Sequence, residues 1–300
     1  MGKRQDCIVP LNLLFSYAGT SQKSLHEFAK VMPEDTRVIM DSGAFTAFRT
    51  GKEIKLDKYV RFINDMPFAP YAYINLDVIG NPIASFENYL KMRNLGCNPV
   101  PVITKGASVD EFDEYTDAPF VALGGLVGGS ISSQRERVGW IDKCMRVATK
   151  KNIPVHLLGI SKAQMLMRWP VASGDSSSWD AVMWKRVFNL YAGGGRIIVF
   201  DRKKFMKKLL RHNGLEMLTR QHGVEPHNLT SEENWSGRAQ GIRSLSGRAY
   251  IKYANDLESQ TGKKLFLAAS VDVTDLLIQE YKNELEGKYV SNSFVVGRTR

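Results

Sequence analysis

Three aspartates in the sequence each follow a short apolar run. Asp41 ends "RVIMD", Asp77 ends "YINLD" and Asp175 ends "VASGD". A single aspartate at such a position is typical of a helix N-cap, where the carboxylate accepts hydrogen bonds from backbone N–H groups. Three carboxylates brought to one edge of a sheet are costly to desolvate unless they are paired or used in chemistry. We therefore interpret the three together as catalytic or substrate-binding groups.

Two segments of the sequence are rich in glycine or serine. "ALGGLVGGS" has four glycines within six residues after an apolar strand. It lacks the phosphate-binding patterns GK[ST] and G-x-G-x-x-G, so it favours either a slot where the backbone approaches a purine or a tight turn. "SGDSSSW" surrounds Asp175 with hydroxyl and amide donors that keep a carboxylate ionised, as a glycosyl-transfer nucleophile requires. The structural alternative for this segment is a heavily capped helix start.

Alternating strands and helices must position these groups. The predicted strands are "CIVPLNLLF", "RVIMDSG", "YAYINLD", "PVPVIT", "FVALGG", "VHLLGI", "VASGD" and "RIIVF", and the last two flank a predicted helix, "WDAVMWKRVFNLYAGGG". Such alternation indicates parallel strands joined by crossover helices. Eight strands favour an α/β fold of the (β/α)8 TIM-barrel type, in which the carboxyl ends of the strands surround the active site. We expect this catalytic barrel in residues 1–201.

Residues 202–300 are predicted to form a basic, helical extension packed on the barrel, with one further strand at "KKLFLAASV". The chain has 41 Lys and Arg against 31 Asp and Glu, a net charge of +10, which is typical of proteins that bind a polyanion such as nucleic acid and equally of generic soluble basic proteins. The cations expected to contact phosphates lie in "RKKFMKKLLRH" and "SGRAQGIRSLSGR" and are Lys203, Lys204, Lys207, Lys208, Arg211, Arg238, Arg243 and Arg248. A solvated helix face is the alternative for the first of these segments.

The sequence also argues against several classes of protein. No apolar run approaches the roughly 18 residues of a membrane span, and the N-terminus lacks the pattern of a secretory signal, so we expect a cytoplasmic protein. The cysteines Cys7, Cys97 and Cys144 are far apart, which excludes a disulfide framework and a cysteine-built zinc site. Three histidines near the C-terminus, at positions 212, 222 and 227, are metal ligands or, as we prefer, solvated or stacking side chains.

Three of these segments, "DSGAF", "LGGLVGG" and "VHLLGIS", resemble motifs of the tRNA-guanine transglycosylase superfamily in the same order and with similar spacing. The resemblance covers about residues 35–185. "SGDSSSW" departs from the tRNA-modifying enzymes and is similar to the DNA-modifying branch, the DpdA-type transglycosylases that phages often carry. The family's cysteine zinc site, which follows the barrel, cannot exist here in that form because no cysteine follows Cys144.

The resemblance implies a (β/α)8 barrel and a glycosyltransferase that exchanges guanine in DNA for a 7-deazaguanine, such as 7-cyano-7-deazaguanine. The exchange proceeds by double displacement through a covalent aspartate–sugar intermediate, without a metal or cofactor. The partners are DNA and the incoming base, a homodimer is left open, and a phage enzyme of this kind would act in the host cytoplasm to evade restriction.

The resemblance also assigns roles to residues of the matching motifs. Asp41 is the general acid and base, Asp175 is the nucleophile with Asp180 as its alternative, and Asp77 binds the base. Further substrate-binding positions are Ser42, Gly43 and Phe45 of the first motif, Gly124, Gly125 and Leu126 of the second, and Gly159 of the third.

Aromatic residues near these motifs have two interpretations. Phe45, Phe48, Trp179 or Trp184 could stack on a base that has left the helical stack, but for each one alone we favour a place in the core.

Three other functions remain open on the sequence alone. The chain could modify tRNA instead of DNA, or it could be a non-catalytic nucleic-acid-binding subunit of such an enzyme. A small-molecule aldolase or racemase on the same fold would need a lysine at a strand end, for which Lys105 is the candidate.

Overall fold

The computed structural model describes residues 9–115, 117–126, 133–209 and 213–287. These residues form the strands β1 (Asn12–Ser16), β2 (Arg37–Asp41), β3 (Ala72–Tyr73), β4 (Val102–Thr104), β5 (Val121–Gly124), β6 (Val155–Leu157), β7 (Ser173–Ser176), β8 (Val187–Tyr191), β9 (Ile197–Asp201) and β10 (Lys264–Ala268). The helices are α1 (Gln22–Ala29), α2 (Ala44–Thr50), α3 (Leu56–Asn64), α4 (Pro82–Asn94), α5 (Gln134–Lys150), α6 (Ala163–Leu166), α7 (Val182–Lys185), α8 (Arg202–Leu209), α9 (Asn213–Gln221), α10 (Gln240–Thr261) and α11 (Thr274–Leu285).

Eight of the strands form one curled parallel sheet in the order β3-β2-β1-β10-β7-β6-β5-β4. Its two ends meet at a parallel bridge between Ile74 and Val100, just beyond β3 and just before β4. The Asn75 N–H donates to the Val100 carbonyl at 2.9 Å, and the Val100 N–H donates to the Tyr73 carbonyl at 2.8 Å. The predicted α/β fold is thus confirmed as an eight-stranded parallel sheet of the TIM-barrel kind.

Apolar side chains fill the interior of this sheet. The buried cluster comprises Leu14, Ile39, Ala72, Ile74, Val100, Val102, Phe120, Ala122 and Phe266, which come from strands on all sides of the sheet. The flanking helices begin at polar caps: Ser133 accepts a hydrogen bond from the Glu136 N–H before α5, and Asn81 accepts from the Ala84 N–H before α4. Burial of the strands and capping of the helices together fix where each strand ends.

The eighth barrel strand is not the predicted one. "RIIVF" lies in β9, which pairs antiparallel with β8 in a separate two-stranded sheet. The eighth position is taken by β10, which lies between β1 and β7. The long helix predicted after Trp179 is also wrong, because α7 ends at Lys185 and the aromatic and β-branched run "VFNLY" forms β8.

The chain divides into two compact units whose boundaries differ from the expected 1–201 and 202–300. The barrel unit comprises Asn12–Ser176 and Lys263–Asp272. The second unit comprises Ser177–Gly262, the segment that begins at Val273 and the residues before Asn12. The boundaries differ because β10, which lies within the predicted extension, is a strand of the barrel sheet.

The second unit has its own core, in which β8, β9 and α10 bury their apolar faces. Its largest buried side chains include Phe188, Phe200 and Phe205, whose ring centroids lie 4.9–5.4 Å apart. Across both units, none of the described helices combines the length and apolarity that crossing a membrane requires.

Candidate active site

Asp41 ends β2, in register with Ser16 of β1. The Gly43 N–H turns back and donates to Asp41 Oδ2 at 2.9 Å. Gly43 has a left-handed φ of 81°, and a Cβ added to it would lie 2.6 Å from the Ala18 Cβ. Only glycine therefore permits the turn that brings a backbone donor onto the Asp41 carboxylate.

The surroundings of Asp41 hold its carboxyl group close to half-protonation at neutral pH. Removal from water raises the pKa of Asp41 to about 7, and repulsion from the Asp77 and Asp175 carboxylates adds to this shift. The Gly43 N–H and the Ser16 hydroxyl favour the ionised form and offset part of it. Because this repulsion weakens with distance, the three carboxyl groups share one region at the carboxyl ends of the strands. A carboxyl group of this pKa suits general acid–base catalysis.

Asp77 follows β3 and is held by a hydrogen-bonded framework. Its Oδ1 accepts from the Ser42 hydroxyl at 2.8 Å, and only 7% of its surface is exposed. Burial raises its pKa to about 6, while the Ser42 hydrogen bond opposes the shift. Nearby, the Tyr59 hydroxyl donates to the Ile74 carbonyl at 2.7 Å and the Asn75 amide donates to the Ser85 carbonyl at 3.0 Å. Asp77 is therefore a fixed acceptor that is mostly ionised at neutral pH.

Asp175 lies within β7, and its two hydrogen bonds fall on one oxygen. The Gly159 N–H donates to Oδ1 at 2.7 Å, and Nε2 of His156 lies 3.2 Å from the same atom. Oδ2 accepts no hydrogen bond from any residue in the described ranges. A Cβ on the preceding Gly174 would lie 2.3 Å from the Ile160 carbonyl oxygen, so close packing fixes this strand beside the chain after β6. One oxygen of this buried carboxylate is thus anchored, while the other has no hydrogen-bond partner in the described ranges.

His156 is the residue of this site to which the sequence assigned no role. It lies on β6, fully buried, with Phe120 and Phe266 rings beside its imidazole. Its Nδ1 lies 2.8 Å from the Ser173 hydroxyl, so both ring nitrogens have partners. The only signal in the sequence was a histidine within an apolar strand, and a satisfied core histidine gives the same signal.

A cavity of about 740 Å³ adjoins Asp77. It is lined by α2, the segment after it and the end of the β3 connection, and its lining includes Phe48, Ile54, Leu76, Asp77, Val78 and Asn88. Ligand pockets of a few hundred Å³ accept drug-sized molecules, so this cavity has room for a purine and part of its sugar. The barrel unit thus combines an aspartate triad with a partly apolar cavity.

The aromatic side chains near this cavity are not in the core, contrary to our expectation. Phe45 is 46% exposed and Phe48 is 61% exposed, and Arg49 lies 5.9 Å from the Phe45 ring centroid. In the second unit Trp184 is also exposed, whereas Trp179 is fully buried, as expected. Exposed phenylalanines next to a cavity are available to contact a ligand.

The predicted purine loop is described only in part. Gly124 ends β5, Gly125 has a left-handed φ of 65°, and the side chain of Leu126 is fully buried. Arg137 donates to the Leu126 carbonyl at 2.5 Å. The side chain of Leu126 is therefore not available to contact a base, and residues 127–132 lie outside the described ranges.

The predicted phosphate contacts divide into exposed and paired groups. Lys203, Lys204 and Arg238 are exposed. The helix α8 contains Lys207 and Lys208, whose side chains are not described, and Arg211 lies outside the described residues.

Two of the predicted phosphate contacts are instead structural cations. Arg243 donates to both oxygens of Asp180 at 2.6 and 2.7 Å, and Arg248 is buried against Glu280 at 2.8 Å. Both arginines lie on α10, in the Gly/Ser-rich stretch from which we had expected phosphate contacts.

Two further alternatives lose support from their contacts. Lys105 forms an ion pair with Glu136, which engages the lysine that an aldolase would need free. His222 is buried with its Nε2 3.0 Å from the Tyr191 N–H, His227 is exposed, and His212 lies outside the described residues. Among the residues that the structure describes, no three His, Cys, Asp or Glu side chains are grouped as a metal site would require.

Comparison with known proteins adds no assignment, because no family model, curated protein or solved structure matches the chain.

Proposed function

We propose that the chain is a transglycosylase that exchanges guanine in DNA for a 7-deazaguanine base through a covalent aspartate–sugar intermediate. The observation that carries this proposal is the triad Asp41, Asp77 and Asp175, which has no lysine or arginine partner among the described residues. Its three members differ in environment, and different environments are how enzymes give carboxylates different roles.

In the proposed first step, Oδ2 of Asp175 attacks C1′ of the target nucleotide. The C1′–N9 bond breaks, its electron pair passes to guanine, and Asp41 delivers the proton that neutralises the leaving base. The hydrogen bonds of Gly159 and His156 to Oδ1 support this role because they orient the carboxylate and do not engage the attacking oxygen. A close carboxylate also favours the oxocarbenium-like transition state, as in retaining glycosidases.

In the second step, Asp41 removes the N9 proton of the incoming base, whose nitrogen attacks C1′ and releases Asp175. Two inversions retain the β configuration of the sugar. The raised pKa of Asp41, about 7, supports both halves of this cycle because the group gains and loses a proton with little cost near neutral pH.

Asp77 is proposed to select guanine. Guanine presents two donors, N1–H and the 2-amino group, to one carboxylate, whereas adenine has no donors at these positions. The cavity beside Asp77 has the volume for the base, and the exposed Phe48 in its lining is suited to stack on it. The co-substrate in this proposal is a 7-deazaguanine, of which 7-cyano-7-deazaguanine is one example.

The decisive experiment is mass spectrometry of nucleosides after incubation of the protein with nucleic acid and 7-cyano-7-deazaguanine. Three parallel reactions are run. One contains guanine-bearing DNA and the 7-deazaguanine, one contains tRNA and the 7-deazaguanine, and one contains the DNA without the 7-deazaguanine. We expect the 7-deazaguanine deoxynucleoside from DNA alone; modified ribonucleoside from tRNA alone would favour tRNA modification. No modified nucleoside from either substrate, with folded protein, would contradict the proposed function.

A further inference from the structure

One surface of the second unit has an exposed tryptophan among cations. Trp184 lies on α7 and is 71% exposed, and Lys185 Nζ lies 4.3 Å from the centroid of its ring. Arg186 follows in a left-handed conformation, with φ of 51°, and its guanidinium donates to the Trp235 carbonyl at 3.1 Å. A tryptophan held in water in this way is unusual, because burying such a ring contributes favourably to folding.

Further cations reach the same surface through the β8–β9 pair. Val187 pairs with Asp201 in register, and the Arg202 N–H donates to the Arg186 carbonyl at 3.1 Å. The exposed Lys203 and Lys204 therefore begin α8 next to the Trp184 segment. We call Trp184, Lys185, Arg186, Lys203 and Lys204 the tryptophan patch.

The charge of the tryptophan patch is only partly neutralised. Asp201 caps α8 by accepting from the Lys204 N–H at 3.2 Å, and Glu232 pairs with Arg202. Lys185, Lys203 and Lys204 form no ion pair with any residue in the described ranges. An exposed aromatic face with unneutralised cations beside it matches what unpaired nucleic acid presents, a flat base and adjacent phosphates.

We propose that the tryptophan patch binds an unpaired strand of nucleic acid, with one base stacked on Trp184 and the flanking phosphates at Lys185, Lys203 and Lys204. This inference rests on the proposed function, which makes nucleic acid the partner, but it concerns a contact that does not involve the exchanged guanine. Stacking on tryptophan accepts any base, so the patch binds without regard to sequence. A flipped guanine leaves its partner strand locally unpaired, so nucleic acid of the kind that this patch fits is present when a base is flipped.

The test uses the full chain and a fluorescein-labelled oligothymidylate, which contains no guanine and so cannot occupy the base-exchange site. Anisotropy is measured for wild type, Trp184→Ala and Trp184→Phe over a range of salt concentrations. We expect Trp184→Ala to raise Kd roughly tenfold or more, and Trp184→Phe to retain most of the affinity. Lys203→Ala should lower the slope of log K against log salt by about 0.7, the value for one phosphate contact to a single strand.

Matched controls come from the same unit. Met217→Ala removes another large exposed apolar side chain, and Lys282→Ala removes another exposed lysine, so neither should change Kd or the salt slope. Equal Kd for Trp184→Ala and wild type would overturn the inference, as would tighter binding of a duplex than of the single strand. An oligouridylate arm distinguishes RNA from DNA as the strand bound.

This outcome is separable from that of the proposed function. If base exchange occurs but Trp184→Ala binds oligothymidylate with the wild-type Kd, the tryptophan patch is not a binding site and the transglycosylase proposal still stands. If binding of oligothymidylate depends on Trp184 but no base exchange occurs, the tryptophan patch is supported as a binding site and the transglycosylase proposal is contradicted.

Discussion

Acidic side chains in the barrel unit and in the second unit have opposite electrostatic surroundings. In the second unit, Asp180 is held by both nitrogens of the Arg243 fork, and the buried Glu280 is paired with Arg248. In the barrel unit, Asp77 is buried and Asp41 is partly buried, yet their described partners are a backbone amide and a hydroxyl. The first arrangement neutralises charge, whereas the second leaves it in place.

The difference indicates what each set of acids is for. A buried carboxylate paired with arginine keeps one charge state, so it can fix the position of chain segments but cannot exchange protons near neutral pH. Carboxylates that are withdrawn from water without a cation beside them have raised pKa values, about 7 for Asp41 and about 6 for Asp77, and so can exchange protons there. This contrast also separates Asp175 from Asp180, the alternative nucleophile, because Asp180 has both oxygens occupied by Arg243.

The largest effect is expected from substituting one aspartate in each unit, Asp175 in the barrel unit and Asp180 in the second unit. Asp175→Asn should lower the rate of base exchange by at least about 10³-fold, because an amide cannot form the sugar ester. Asp180→Asn should keep the chemistry and instead lower the free energy of unfolding by about 1–3 kcal/mol through its weakened hydrogen bonds to Arg243. Single-turnover exchange and denaturant unfolding measure the two effects, and an inactive Asp180→Asn that is fully folded would reverse the assignment.

Asp41→Asn should lower the rate by about 10²–10⁴-fold, the range for removal of a general acid–base group. In the wild type, the first step needs protonated Asp41, so its rate should fall as pH rises above about 7. The measurement is the pH profile of guanine release. If the rate of guanine release by Asp41→Asn still fell above about pH 7, another group would supply the proton.

Removing the acidic partner of a buried ion pair should lower the free energy of unfolding and leave base exchange largely unchanged. Glu280→Gln leaves the buried Arg248 guanidinium without its counter-charge, and loss of one partner of a buried pair costs about 3–5 kcal/mol. Glu27→Gln, which removes the exposed pair with Lys30, is the control and should leave the free energy of unfolding nearly unchanged. Chemical denaturation of both variants checks this expectation, and equal stabilities would mean that the Arg248–Glu280 pair is not a structural support.

Asp77→Asn should change which base is accepted more than how fast exchange occurs. An amide can offer a donor as well as an acceptor, so discrimination between guanine and purines lacking the 2-amino group should fall by about tenfold, the equivalent of one hydrogen bond. Competition between purine analogues in the exchange assay measures the ratio. Unchanged selectivity would remove Asp77 from the base site.

A separate prediction concerns how the stability of the fold depends on pH. The pKa of Asp41 is about 7 in the folded chain and near its usual 3.8 when unfolded, so unfolding releases a proton between these values. The free energy of unfolding contributed by this group therefore falls as pH rises from about 4 to about 7. Asp41→Asn should flatten that decline and be more stable than wild type at pH 7. If the free energy of unfolding changed with pH in the same way in wild type and Asp41→Asn, the pKa of Asp41 would not be raised in the folded chain.

The strand-end aspartates and most barrel strands could be predicted from the sequence, because an apolar run that ends on Asp and Gly has few other uses. The eighth strand was misassigned because "RIIVF" and "KKLFLAASV" are equally apolar, and only tertiary pairing shows that β10 joins β1 and β7. His156, Arg243 and Arg248 were misread or missed for a related reason. A side chain's partner across the fold, Asp175, Asp180 or Glu280, decides its role, and such partners are distant in sequence.

The most direct test of the central claim is peptide mapping of a protein–DNA adduct. The protein is mixed with a guanine-containing oligonucleotide, quenched in acid during turnover, digested and analysed by mass spectrometry. The account predicts a deoxyribose-linked peptide modified at Asp175 in the wild type and none in Asp175→Asn. An adduct on a different residue, or exchange that proceeds with no adduct at any time point, would contradict it.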